Sequence, residues 1–125
     1  MLLAKNEKKN KLANRAHLSV LWGKRITKLD KSTILYAIAN RKYVEVHVNK
    51  DYVFKTSASF MVVEEQLGDG FLRINLSTLA AIRYIREISD KIWLSNGEGL
   101  PYVVSNKRRF MKRIVPMMTL TVMFL

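Results

Sequence analysis

KIWLSNGEGLPYVVSNKRRFMKR, running from Lys91 to Arg113, is the stretch on which the fold turns. Two apolar runs flank Asn96-Gly97. That pairing is a strong signal for a β-hairpin, because a tight turn that matches strand twist needs φ > 0, which Asn and Gly tolerate. The second run closes on Ser105-Asn106, and five cations follow within seven residues: Lys107, Arg108, Arg109, Lys112 and Arg113. A hairpin ending this way holds positive charge on a rigid edge. Such an edge suits a polyanion, and DNA is the first to consider.

Upstream of the hairpin the chain reads as a series of short strands. His17–Trp22 is the first, Gly23-Lys24 marks a turn, and Arg25–Leu29 is the partner strand. Thr33–Ile38 is a nearly continuous apolar run, as expected of a buried strand, and Asn40-Arg41-Lys42 breaks it. Tyr43–Val48 alternates, with Val44, Val46 and Val48 on one face and Tyr43, Glu45 and His47 on the other. Asn49-Lys50-Asp51 is a turn before the strand Tyr52–Lys55. Ser59 can cap a helix in which Phe60, Val63 and Leu67 recur at helical spacing, and Gly68-Asp69-Gly70 stops it. Phe71–Ile74 is extended, Ser77–Ala81 fits either a short helix or a loop, and Ile82–Ile88 and Ile92–Leu94 are strands. Many short strands with one or two short helices, and no βαβ alternation, predict a mostly β fold.

The chain has 125 residues and 49% hydrophobic content, enough for one domain with a real core. Its formal net charge is +12, which favours nucleic acid or an anionic membrane surface as partner. The absence of Cys excludes disulfides and zinc-thiolate sites. Residues 1–15 carry Lys5, Lys8, Lys9, Lys11 and Arg15 against Glu7 alone and read as a flexible basic arm. No secretory signal and no apolar run long enough to span a bilayer stand out, so a cytoplasmic location is expected. Residues 114–125, IVPMMTLTVMFL, form an uncharged tail holding Pro116, a helix breaker. The plain expectation for it is a last strand or turn packed on the core. A dimer interface, a membrane contact or the cut end of a longer chain are the alternatives, and packing or dimerisation is favoured.

Catalysis finds little support. His17 and His47 fall in predicted strands without metal-ligand partners at close spacing. The glycines of Gly68-Asp69-Gly70 and Asn96-Gly97-Glu98-Gly99 suit turns and do not form a phosphate loop. No nucleophile and base stand together, so no catalytic residue, cofactor, metal or small-molecule substrate is expected. The binding features are more coherent. Asn40, Arg41 and Lys42 end a buried strand, Arg73 and Asn75 flank the Phe71 strand, and Lys107, Arg108 and Arg109 follow the hairpin. Arg grips guanine or phosphate, Asn can pair with adenine, and Lys supplies charge.

These residues have an ordered likeness. From Phe71 onward the chain resembles the LytTR-type DNA-binding domain of bacterial transcription regulators. Phe71, Arg73, Ser77, Leu79 and Ile85 stand where that family has Phe-x-Arg-x-His-(Arg/Lys)-Ser-x-Leu-Val-Asn-x-x-x-Ile. Ile92, Leu94, Asn96, Gly97, Leu100, Pro101 and Ser105 match its hairpin, with Tyr102-Val103-Val104 where the family has about one residue. Upstream, Ile34–Val48 and Ser59–Leu67 resemble its tyrosine-containing strand pair and its short helix. The likeness spans about residues 16–113.

The resemblance implies an elongated stack of small antiparallel sheets. It also implies a transcription regulator whose loops enter successive major grooves of double-stranded DNA, usually at paired direct repeats upstream of a promoter. Three places would touch DNA: Asn40, Arg41 and Lys42; Asn75, Leu76 and Ser77; and Ser105, Asn106, Lys107 and Arg108. There are departures. The family's His is Asn75, its next cation is Leu76, its Val-Asn is Ala80-Ala81, and the usual Glu after the first tyrosine is Ile38. Leu76 cannot donate a hydrogen bond to phosphate or base. Two other readings stay open. One is an interaction protein on this fold that has lost readout, acting as a homodimer or with a regulatory partner protein. The other is a basic RNA-binding protein.

Overall fold

A computed structural model describes residues 16–49, 52–105 and 107–122, with side chains to residue 117. Its centre is an antiparallel sheet of five strands in the order β5-β4-β3-β7-β6. These are β3 (Ile34–Ala39), β4 (Val44–Val48), β5 (Tyr52–Thr56), β6 (Phe71–Asn75) and β7 (Thr78–Ala81). A hairpin of β1 (His17–Trp22) and β2 (Arg25–Asp30) precedes it. Three strands follow in a second small sheet: β8 (Ile85–Ile88), β9 (Ile92–Leu94) and β10 (Gly99–Leu100). Among the described residues two helices complete the fold, α1 (Phe60–Leu67) and α2 (Lys107–Val122). The expected mostly β fold of small antiparallel sheets with one or two short helices is what the chain adopts.

The five-stranded sheet is buried on both faces. On one, Ile34, Ala37, Val44, Val46, Val48 and Leu79 pack against Leu18, Val20 and Leu29 of the hairpin and Val63 and Leu67 of α1. On the other, Tyr36, Leu72, Ile74 and Ala80 pack against Ile85, Ile92, Leu94 and Leu100 of the second sheet and Phe110 and Ile114 of α2. This explains the nearly unbroken apolar run of β3. A register shift between Ile34 and Tyr36 places the consecutive residues Leu35 and Tyr36 in the same core.

Several expectations shift in detail. Ser77–Ala81 resolves into strand β7, completely buried from Thr78. Ile82–Tyr84 is a single 3-10 turn, so only the second half of the expected strand is extended. The chain from Lys107 is helical through Pro116, although a terminal strand or turn was expected. The reason is a sequence pattern overshadowed by the proline: Phe110 and Ile114, four residues apart, share one face and are both buried. The helix also crosses the expected boundary between the domain and the tail at 113/114. The expected basic arm of residues 1–15 lies outside the described residues.

The hairpin at Asn96-Gly97 is real but differs in its turn. Leu94 N donates to Glu98 O at 2.8 Å and Gly97 N to Leu94 O at 2.9 Å, with Gly97 at φ 93°. This is the three-residue loop with glycine in the left-handed position. Asn96 instead uses its side chain. Its Oδ1 accepts from Glu98 N at 3.0 Å and its Nδ2 donates to Glu98 Oε1 at 2.7 Å. Glu98 Oε2 then accepts from the Tyr36 hydroxyl at 2.9 Å, which joins the two sheets.

Tyr36 is only 7% exposed, and burial together with Glu98 pushes its phenol well above the ordinary value. A raised folded-state pKa means that this contribution to stability is full below the unfolded value near 10 and is lost as pH rises above it. Tyr36→Phe should cost about 1 kcal/mol at neutral pH through loss of the hydrogen bond. It should also lose less stability than wild type on going to alkaline pH. Urea unfolding at pH 8 and pH 11 would show both, and equal alkaline losses would refute the second.

Candidate nucleic-acid interface

Strand register gathers two of the expected contact segments at one end of the five-stranded sheet. Ile38 lies opposite Thr78 and Ala39 opposite Val44, so the β3–β4 and β6–β7 turns stand side by side. Ala39 N donates to Ser77 O at 2.8 Å across them. Asn40, Arg41 and Lys42 are all exposed. Asn40 Oδ1 accepts from Lys42 N and Tyr43 N, both at 3.1 Å. The carboxamide thereby replaces backbone partners in a tight turn and leaves the two cations outside it.

The second turn is built the same way. Asn75 Oδ1 accepts from Ser77 N at 2.9 Å and from Ser77 Oγ at 3.2 Å, and its Nδ2 donates to Pro101 O at 2.8 Å. Both ends of the carboxamide considered for reading adenine are thus engaged within the protein. Asn75 positions the turn and ties it to the chain that leaves the hairpin. Between Asn75 and Ser77, Leu76 is 91% exposed.

Arg73 lies two residues back along β6 and is committed elsewhere. Its Nη2 is 3.0 Å from Glu64 Oε1, and its guanidinium lies 4.8 Å from the Phe60 ring centroid, so it fastens α1 to the sheet. This pair is exposed, and such pairs contribute little to stability.

The third segment runs along the outer edge of β6, where Val103 N donates to Ile74 O at 2.9 Å. Ser105 is exposed, and Asn106 lies outside the described residues. Lys107, Arg108 and Arg109 form the first turn of α2 rather than a loop, and all three are exposed. Tyr102 sets their position. Its ring stacks on Phe110 at 5.8 Å, its hydroxyl donates to Ser89 O at 2.9 Å, and Lys107 Nζ lies 5.8 Å from its centroid. Nearby, the Trp93 indole N–H and the Ser89 hydroxyl hold the Asp90 carboxyl below its usual range.

Among the described residues, no group of three or more His, Asp or Glu is placed to hold a metal ion. His47 stacks on Tyr36 at 4.1 Å, with Glu45 Oε1 3.3 Å from its Nε2, as a packed residue of the sheet. No described helix is long and apolar enough to cross a membrane. Sequence reading passed over the cations at the β1–β2 turn, Lys24 and Arg25, because Gly23-Lys24 signalled only a turn. It also missed the Pro101 carbonyl as the anchor of Asn75, since that pairing has no local signature.

A family model described as the LytTr DNA-binding domain matches residues 24–115, most of the chain. The chain belongs to this family. Among solved structures it is similar to the LytTr DNA-binding domain of a Bacillus cereus protein described as a methyl-accepting/DNA response regulator. The TM-score is 0.67 at 20% sequence identity, over 79% of this chain and 96% of the other. That likeness concerns the fold. No curated protein matches the chain. The family is one of DNA-binding domains, and its members' role in bacterial transcription regulation fits this chain.

The hydrogen bonds of Asn75 yield a stability prediction. Asn75→Ala should cost about 1–2 kcal/mol in urea unfolding, whereas Leu76→Ala, which changes an exposed tip, should stay within about 0.5 kcal/mol. Equal effects at the two positions would contradict the positioning role.

Proposed function

We propose that this chain is a sequence-specific transcription regulator that binds double-stranded DNA through three segments set in successive major grooves. The segments are Asn40–Lys42, Asn75–Ser77 and residues 105–109. The observation that carries this reading, beside membership of a DNA-binding family, is the pair of rigid turns at one sheet end. Their polar side chains are used internally and their cations and Leu76 point outward. A hairpin-fixed third segment adds three cations at the start of α2, where the helix dipole is already positive. Like charges held at that end repel one another and the dipole, and a phosphate there neutralises both. Paired direct repeats upstream of a promoter would seat two copies of the chain.

Leu76 gives the middle turn a different role from that of the cation usual in the family. In a major groove the apolar feature within reach of a leucine is the thymine C5-methyl. Arg73, held by Glu64, supports the turn from behind and is not assigned a base.

Selection from a random duplex library tests the reading, and paired repeats about one helical turn apart are the expected outcome. With a selected duplex, Lys107→Ala combined with Arg108→Ala should weaken binding about tenfold or more. The same change should make the salt dependence shallower by about 2 in log–log slope. An unchanged binding curve would remove this segment from the interface. Replacing the contacted thymine by uracil deletes one methyl, worth about 0.8 kcal/mol or roughly fourfold in affinity. Wild type should show that loss and Leu76→Ala should not; if no thymine position distinguishes the two proteins, Leu76 has no such contact.

A further inference from the structure

The β1–β2 hairpin ends at the same sheet end as the Asn40–Lys42 turn, and it is held there firmly. Trp22 pairs with Arg25 across the two-residue loop Gly23-Lys24, with Gly23 at φ 62°. Glycine with positive φ at the first loop position is the turn that matches strand twist without splaying the strands. Leu21 N donates to Thr56 Oγ1 at 3.3 Å, and Leu21 O accepts from Ser57 N at 2.9 Å and Ser57 Oγ at 3.2 Å. Thr56 is 1% exposed and lies opposite Val44, the first residue of β4. Trp22 meets Tyr43 edge-on at 5.3 Å, so the hairpin tip touches the residue that ends the first turn.

Charge collects at this corner. Lys24 and Arg25 are exposed at the tip. Lys55 Nζ lies 4.5 Å from the Tyr43 ring centroid and 5.5 Å from that of Trp22. The acid opposite Lys55 in register is Glu45, and its carboxylate approaches His47 at 3.3 Å. Trp22 remains 44% exposed and borders a groove of about 570 Å³ with Arg25, Thr27, Val53 and Lys55. Cations on a fixed backbone around an aromatic and aliphatic floor suit a sugar–phosphate chain: the cations meet phosphates and the floor meets deoxyribose. The tip flanks β5 at one edge of the sheet, and the Asn75 turn ends β6 at the other. At about 4.8 Å per strand that separation is about 20 Å, more than half of a duplex turn of about 34–36 Å.

We infer that the hairpin tip, with Lys24, Arg25 and Lys55, is a fourth DNA contact that grips the phosphate backbone flanking the groove entered by the Asn40–Lys42 turn. The inference rests on the duplex-binding reading above. It carries no base specificity, so it adds affinity uniformly across sequences.

The test uses the full chain and a selected duplex. Lys24→Ala with Arg25→Ala should weaken binding to specific and random duplexes by the same factor. It should make the log–log salt slope shallower by about 2, at roughly 0.9 per phosphate lost. Hydroxyl-radical protection should shorten on one flank only. The charge-preserving pair Lys24→Arg with Arg25→Lys should keep the wild-type slope. Urea unfolding should be unchanged in both variants, which separates contact loss from misfolding. If wild type binds with a steep salt slope and the alanine pair keeps both slope and footprint, the hairpin stands clear of DNA and the inference is overturned while the three-segment reading survives. If wild type fails to bind duplex DNA at all, that reading falls and the inference falls with it.

Discussion

Burial of β3 on both faces is the constraint on which the rest of the molecule depends. Ile34 and Ala37 belong to the core shared with the hairpin and α1, while Leu35 and Tyr36 belong to the core shared with the second sheet and α2. A strand in that position cannot slip by one residue, because the slip would exchange the two cores. The bulge between Ile34 and Tyr36 pins the register further. The arrangement of the two turns at the sheet end follows from it. Ala39 reaches Ser77, the two turns align, and Tyr36 meets Glu98 only in this register.

Three asparagines do similar work around this strand. Asn40, Asn75 and Asn96 each accept backbone N–H groups through Oδ1 and so reinforce a turn with the side chain. Asn75 and Asn96 also donate onward, to Pro101 and to Glu98. The polar side chains at the sheet end are therefore mostly spent on making rigid turns. What the turns present outward is charge at Arg41 and Lys42 and an apolar tip at Leu76. In the proposed complex this arrangement draws affinity and position from phosphate contacts and leaves few side chains for reading bases.

Local pattern made much of the fold legible. The alternation of Tyr43–Val48, the Ser59 cap and the Asn96-Gly97 turn each depend on neighbours in sequence, and each element formed. Two misreadings were decided by distant partners. Ser77–Ala81 has no distinctive period, and it becomes a strand because β3 and β6 pair with it on both sides. The helix at Lys107 was hidden by Pro116 and by the density of charge; Phe110 and Ile114 fix it only because the second core receives them. Among the site residues, Asn40, Arg41 and Lys42 stand on the exposed turn after β3, where the break in the apolar run placed them. Arg73 and Asn75 are expected from sequence to contact DNA, but Glu64 and Pro101, which engage them in the fold, could not be inferred from spacing.

Residue order alone specifies the class of the molecule: strand periodicity, an excess of cations, no thiol chemistry, and an ordered set of family residues. These are properties of composition and of neighbours along the chain. Folding selects which polar groups remain available to a partner. Glu64 and the Phe60 ring engage Arg73, and the Pro101 carbonyl engages Asn75, while the packing of Trp22 on Tyr43 brings Lys24 and Arg25 to the same end as Arg41 and Lys42. A side chain's chemistry is written in its residue type, but its availability depends on what the folded chain places within hydrogen-bonding distance of it.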